Sequence, residues 1–483
     1  MSDESSTAES EARSLASPGA WLLVPLALAY ALGLALFPPR VTLISDESQY
    51  IRQAVAFASG RTKVQVRDPK TWKVRKELPS QYPPGTSLLQ TPFVVLGGWR
   101  GAAWASALAL FAMMTATGAL LRRMELPALY AALIPLFVPA AVLGRTGMSD
   151  VPSGAITALG WWYFIRGPRQ AWVWCVAGFL AGFSTLLRDS NPLFFLPLFA
   201  GAVIRREPWL LLTASGLAGL CVRSAIVLAL QGTVFGVPIA YYPFTLDGFH
   251  VRVLLYVAAL TFLVPGGLVA AFQYRGRRWP ELLATTVSAL LFFSLYSYAG
   301  QFSGFVRTTI LAPRYFIPLL PALAVAVAWL VHRAGMRPKA RASLEWVLFL
   351  GALTVSIAVH PVMALWAQRQ GLVVDAITQA TSAESVVVTE LGATAKYINE
   401  LYGSRAVIGR DQVTLDELAA MRERRNVQLV FLDRSDSEYW RTMALGNSEF
   451  AAAAASRCKL AEIVDLQATA SDRLRIWDVK NCD

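Results

Sequence analysis

The chain has 483 residues, 55% of them hydrophobic and 16% charged, with a mean hydropathy of +0.45 and a formal net charge of +12. Soluble domains carry about 25% charged residues, so this composition excludes an ordinary soluble protein. The positive charge does not point to nucleic acid, because Lys and Arg gather at the ends of long apolar runs, where they orient membrane helices.

Residues 1–19 (MSDESSTAESEARSLASPG) are polar and acidic and read as a disordered cytoplasmic tail. The order is wrong for a signal peptide, so the first apolar run is expected to stay as a span. About eleven spans of roughly 17–25 residues follow. They start near Ala20, Gly101, Pro127, Ser149, Gln170, Asn191, Pro208, Val251, Glu281, Arg314 and Ser343, and the last ends near Trp366.

Every even-numbered span ends in a basic cluster: Arg122 and Arg123; Arg166 and Arg169; Arg205 and Arg206; Arg275, Arg277 and Arg278; then Arg333, Arg337, Lys339 and Arg341. Those ends are expected in the cytoplasm, which places the carboxy-terminal region outside. The loop 39–100 is also assigned to the outer side. It disagrees, since it carries Arg61, Lys63, Arg67, Lys70, Lys73, Arg75 and Lys76. Five agreeing loops outweigh it, and a basic outer loop can face anionic lipid or a phosphorylated ligand.

The region 367–483 differs in kind. Ser385–Glu390, Ala406–Ile408 and Val427–Asp433 read as strands and Leu391–Tyr402 as a helix. Thr414-Leu-Asp-Glu417 is a capping box opening a helix to about Arg425. Alternating strands and helices predict a small α/β domain with a largely parallel sheet and no Gly-rich phosphate loop. The expected architecture is therefore an α-helical polytopic membrane region, 20–366, with an extracytoplasmic α/β domain, 367–483. Cys175 and Cys221 fall in apolar runs and read as core residues. Cys458 and Cys482 share the polar tail, and spacing leaves open whether they pair.

The outer loops carry the chemistry. Asp46 and Glu47, in Ile44-Ser-Asp-Glu-Ser-Gln-Tyr50, follow the first span directly. The bland reading is a helix start, with Ser45 as cap and both acids in the first turn. Gln81-Tyr-Pro-Pro-Gly85 precedes an apolar stretch, Thr86–Gly97, too short to span comfortably and read as re-entrant or interfacial. Later loops bring Gly144-Arg-Thr-Gly-Met-Ser-Asp150, Arg188-Asp-Ser-Asn191 and Ala312-Pro-Arg-Tyr-Phe-Ile-Pro318. Arg223 lies inside the seventh span, where a charge normally faces a cavity or a partner. Any one of these is an ordinary interfacial feature. Together they suit a site that handles an anionic lipid and a hydroxyl.

Asp46-Glu47, Tyr82-Pro-Pro-Gly85, Met148-Ser-Asp150 and Arg314-Tyr315 before Pro318, in that order, resemble the GT-C superfamily. That superfamily includes the protein O-mannosyltransferases and the aminoarabinose transferases of lipid A. The resemblance covers about residues 20–330. It implies a polyprenyl-phosphate-linked sugar donor and transfer on the outer face of the plasma membrane, with Asp46 and Asp150 matching the acidic residues of its first two outer loops. The first loop is unusually basic, and no Lys-Pro-Pro motif is present.

Donor-binding candidates are Tyr82, Arg145, Arg188, Arg223, Arg314 and Tyr315. The catalytic candidates are Asp46 as general base, with Glu47 and Asp150 orienting hydroxyls or holding a divalent cation. No other cofactor is implied, and the three His residues, His250, His332 and His360, are scattered. Expected partners are the lipid-linked sugar, a glycan, lipid or protein acceptor, and membrane lipids. A transporter or lipid flippase explains the spans and the intramembrane Arg equally well, but it predicts inverted repeats, and no internal symmetry is visible. A scaffold presenting the tail domain would not need ten further spans.

Overall fold

A computed structural model of the chain describes residues 19–77, 80–166, 170–236, 244–297, 307–392, 394–403, 405–435 and 438–482. The amino-terminal tail up to residue 18 and Arg169 of the second basic cluster lie outside the described residues. The chain divides into two compact units. One comprises the chain up to Pro38, Gln81–Phe93 and Gly101–Pro361; the other comprises Pro39–Ser80, Val94–Arg100 and Val362–Asp483.

The first unit is helical. Its helices begin close to the expected starts, but many are short: Leu23–Leu36, Ala102–Arg123, Asp150–Arg166, Ala171–Phe183, Leu196–Ile204, Trp209–Gln231, Phe249–Leu263, Trp279–Leu295 and Leu320–Arg333. Among the described residues four helices are long and apolar enough to cross a membrane. A fifth is added if Phe249–Leu263 and Gly267–Gln273, bent by 101° across Val264-Pro265-Gly266, count as one span.

The eleven expected spans are therefore not reproduced as eleven full-length helices. The apolar run from Pro127 is broken at Pro135 and Pro139 into a 3-10 turn and the short helices Leu133–Leu136 and Val138–Leu143, almost wholly buried. The run from Asn191 yields a helix of only nine residues. Hydropathy could not separate these pieces from spans, because proline inside an apolar run alters backbone geometry without altering polarity. The last span does not end near Trp366 either. Pro338–Ala380 is a single 43-residue helix that runs through Pro361.

Two of these helices approach very closely. A Cβ on Gly178 would lie 2.1 Å from the Leu212 carbonyl oxygen, and one on Gly182 would lie 1.9 Å from that of Gly216. Small residues four apart let the backbones of Ala171–Phe183 and Trp209–Gln231 touch, as they do where apolar burial cannot drive helix association. The other side of Trp209–Gln231 exposes Leu210, Leu217 and Leu228, a surface suited to lipid chains rather than water.

The second unit is built on a five-stranded sheet of order β4-β3-β5-β7-β6, from β3 (Val386–Thr389), β4 (Ala406–Gly409), β5 (Val427–Arg434), β6 (Cys458–Gln467) and β7 (Asp472–Cys482). The three strands read from sequence are β3, β4 and β5, and they pair in parallel. The last two were not anticipated and pair antiparallel, so the sheet is mixed. β6 largely alternates half-buried with exposed residues and carries three charged side chains, Lys459, Glu462 and Asp465; it lacks the apolar run that marks β5, where Val427–Leu432 are buried throughout.

The capping box is present, with Thr414 Oγ1 accepting from the Glu417 amide and Glu417 accepting from the Thr414 amide. Leu391–Tyr402 is not a helix. Its described residues form turns and a 3-10 segment, Glu400–Tyr402, beginning with Leu391 at φ +58°. Cys458 and Cys482 form a disulfide that ties the start of β6 to the end of β7.

The basic loop also belongs to this unit. β1 (Val64–Arg67) and β2 (Val74–Glu77) form a hairpin. Lys70 meets Glu417 at 2.7 Å, and the guanidiniums of Arg67 and Arg425 stack on Trp72 at 5.2 and 4.6 Å. Part of the anomalous positive charge is thus engaged within the protein.

Candidate functional site

The first unit gathers four of the expected site residues into one buried cluster. Asp150, fully buried, opens the helix Asp150–Arg166, where its charge also complements the helix dipole. Arg188, just past the 3-10 turn Ser184–Leu186, forms an ion pair with Asp150. Arg314, with a side chain 3% exposed, has its Nε 3.9 Å from the same carboxylate. Both cations lie against Tyr315: the Arg188 and Arg314 guanidinium carbons sit 4.6 and 5.2 Å from its ring centre. The ring itself stacks on Phe293 with centres 4.9 Å apart.

Burial alone would lower the Arg188 pKa, but the adjacent Asp150 carboxylate and its hydrogen bond outweigh that and raise it, so the guanidinium stays charged. Among these three groups two cations face one anion. The excess positive charge, in a setting poor in water, suits an anionic group such as a phosphate.

A second set of polar residues, not singled out from sequence, braces the cluster. Ser153 donates to Asn191, and Asn191 Nδ2 donates to the Ser184 carbonyl at 3.0 Å. Gln90 Nε2 donates to the Gly147 carbonyl at 2.8 Å. Thr86, Ser87 and Gln90 are fully buried at the start of the helix Gly85–Gly97. A signal was available: polar residues four apart, Thr86 and Gln90, interrupt an otherwise apolar stretch on one helix face. Gly85 has a definite role, because a Cβ there would lie 2.4 Å from the Leu186 carbonyl oxygen, two residues before Arg188. The Tyr82-Pro-Pro-Gly85 motif is thereby set against the turn that carries Arg188. The Tyr82 carbonyl accepts from Gln231 at 3.2 Å.

Two expected donor-binding arginines lie elsewhere in this unit. Arg145 donates to the backbone carbonyls of His360 at 2.7 Å and Phe37 at 2.9 Å, so its guanidinium ties the end of Leu23–Leu36 to the helix Pro338–Ala380 beside Pro361. Arg223 donates to the Val234 and Phe235 carbonyls and meets Asp189 at 3.5 Å. It holds the segment just beyond its own helix and pairs with the neighbour of Arg188 instead of with Asp150.

Asp46 and Glu47 belong to the second unit. A helix does begin there, Ser45–Ala58, with both acids in its first turn, but Ile44 rather than Ser45 holds the cap position. The two carboxylates then diverge. Glu47 is 2% exposed, and its Oε2 accepts from the Leu43 amide at 2.7 Å, closing the helix start. Asp46 is half-buried and accepts from the Ser45 hydroxyl at 3.3 Å. Further along the helix Arg52 meets Glu400 at 2.5 Å. Among the described residues no group of three or more His, Cys, Asp or Glu side chains is placed to hold a metal ion.

The crystal structure of ArnT from Cupriavidus metallidurans bound to undecaprenyl phosphate matches with a TM-score of 0.61 at 13% identity, over 95% of this chain and 98% of that one. The chain shares the overall fold of this ArnT. The apo structure of the same ArnT matches with a TM-score of 0.60 at 13% identity, over 95% of this chain and 97% of that one. No protein-family model and no curated protein sequence matches the chain. At this identity the likeness extends to the fold, and site roles rest on the geometry of this chain's own residues.

Proposed function

We propose that the chain is a multi-pass membrane glycosyltransferase that moves a sugar from a polyprenyl-phosphate donor to an acceptor hydroxyl on the outer face of the membrane. The observation that carries this reading is the buried Asp150–Arg188–Arg314–Tyr315 cluster within a GT-C fold. The ArnT structure that shares the fold holds undecaprenyl phosphate, which supports a donor of that class.

The leaving group in such a transfer is a lipid phosphate. A phosphomonoester has a second pKa near ~6, so it departs as a stable anion and needs no general acid. It does need cations where negative charge develops, and Arg188 and Arg314 supply them. Asp150 pairs with Arg188 and lies beside Arg314, and both guanidiniums rest against the Tyr315 ring, which places the two cations in one spot where a phosphate could meet them. The acceptor hydroxyl needs a base, a contribution of roughly 10²–10⁴ in rate.

We assign the base to Asp46, the less buried of the acidic pair, with Glu47 holding the start of the helix that presents it. One base and no separate nucleophile imply inversion at the anomeric carbon. The Cys458–Cys482 disulfide supports an extracytoplasmic second unit, since disulfides persist in oxidising compartments. The test is incubation of the purified full-length protein with a panel of polyprenyl-phosphate sugars and candidate acceptors. Release of polyprenyl phosphate with one donor is the expected result; no release with any donor in the panel contradicts the reading.

A further inference from the structure

A second charged site lies in the first unit, far from Asp150. Beside the turn Arg205-Arg206-Glu207 and the segment Arg275-Gly276-Arg277-Arg278 lies an open cavity of about 420 Å³ lined by Arg205, Glu207, Arg277, Arg278, Trp279 and Pro280. Its floor is an ion network. Arg278 grips Glu207 through two bonds of 2.9 and 2.6 Å and reaches Glu281 at 3.4 Å, while Arg205 pairs with Glu281 and meets Glu207 at 3.4 Å. Glu281 is 2% exposed and the Arg278 side chain 7%.

Three arginines at this cavity, Arg205, Arg277 and Arg278, stand against two carboxylates, Glu207 and Glu281. Both carboxylates are already engaged by Arg205 and Arg278, which leaves the cavity positive. Arg277 lines it and is exposed, and among the described residues its side chain forms no ion pair.

The surroundings are apolar. Ile204 and Leu210 flank the network at 79% and 64% exposure, and Trp209 and Trp279 stand beside the arginines. Tryptophan next to arginine at a helix start marks the depth of lipid headgroups. The position along the fold agrees. Arg278 stacks on Phe164 at 4.8 Å, near the end of the helix that Asp150 opens, so the two charged sites stand roughly 20 Å apart along that axis at 1.5 Å per residue.

We propose that this cavity binds the phosphate of an anionic phospholipid, with the acyl chains against the Ile204–Leu210 flank, in the leaflet opposite the Asp150 cluster. Arginine suits this ligand because its planar fork meets phosphate oxygens in pairs. Basic pockets at the ends of membrane helices hold such headgroups. The inference does not depend on the transferase reading.

The test is native mass spectrometry of the full-length protein in detergent, with phosphatidylglycerol or phosphatidylcholine added, for the wild type, Arg277→Ala and Arg277→Glu. Arg277 is exposed, so both variants are expected to fold. The expected result is preferential retention of phosphatidylglycerol, weakened about fivefold by Arg277→Ala, or ~1 kcal/mol per surface arginine, and further by Arg277→Glu. Equal retention of the two lipids by the wild type overturns the proposal, as does unchanged phosphatidylglycerol retention in both variants. Displacement of the lipid by inorganic phosphate at equal concentration would assign the cavity to a free anion and overturn the lipid assignment.

Discussion

The Asp150 cluster and the Asp46–Glu47 pair both hold candidate carboxylates, yet they are built in opposite ways. Asp150 is fully buried, and its partners come from segments 38 and 164 residues further along the chain. Asp46 and Glu47 are neighbours in sequence whose carboxylates part company within one turn: one accepts from a backbone amide and the other stays half-buried. A site assembled from distant segments is held by packing and by charge compensation. A site made of adjacent residues is held mainly by its own helix. Substitutions in the cluster should therefore damage structure and activity together, while substitutions at Asp46 should separate them.

The largest effect is expected from Asp150→Ala. Removing one member of a buried ion pair leaves charge uncompensated and costs about 3–5 kcal/mol. Folded yield and thermal stability of the detergent-solubilised protein should both fall, and the double variant Asp150→Leu/Arg188→Met should recover much of the stability and none of the transfer. Recovery of transfer in the double variant would show that the cluster is structural only.

Arg314→Ala comes next. Losing one cation beside the leaving phosphate should reduce kcat by roughly 10²–10³, with KM for the lipid donor affected more than KM for the acceptor. Equal effects on donor and acceptor would mean that Arg314 holds structure and not donor.

Around the five-stranded sheet of the second unit, away from Asp46, the effects should be smaller and confined to stability. Replacing Cys458 and Cys482 by Ser together should cost about 2–4 kcal/mol, read as a lower melting temperature that reductant no longer changes. Glu390 gives the smallest effect. Burial raises its pKa above the ordinary carboxylate value, against hydrogen bonds from Thr394 and Thr389 that favour the charged form. A raised folded-state pKa stabilises the unit below the ordinary carboxylate pKa, and that stabilisation is lost as pH rises through the folded value. Glu390→Gln should flatten this slope in a melting series from pH 4 upward; an identical slope would contradict it.

Much of this was legible in sequence where the signal was local. β3, β4 and β5 begin and end within about two residues of the apolar runs that announced them, a normal margin for element boundaries. The capping box at Thr414 was readable for the same reason, since both partners lie within one turn. The composition of Asp150, Arg188, Arg314 and Tyr315 was readable, but their convergence was not, because no local rule links a helix start to a turn and to a distant 3-10 segment. Arg145 and Arg223 show the converse. Each looks like a ligand-binding charge inside apolar sequence, and each is taken up by backbone carbonyls of this chain, which hydropathy cannot represent. The stretch Thr86–Gly97 reads as apolar overall although Thr86, Ser87, Gln90 and Thr91 are polar, because hydropathy averages over its length and not over its faces.

The most direct measurement is turnover of Asp46→Asn with a lipid-linked sugar donor that the wild type uses, alongside its melting temperature and donor affinity. Replacing a half-buried carboxylate by an isosteric amide should leave melting and donor binding unchanged and lower transfer by at least ~10². Wild-type turnover in that variant would contradict the assignment of the base.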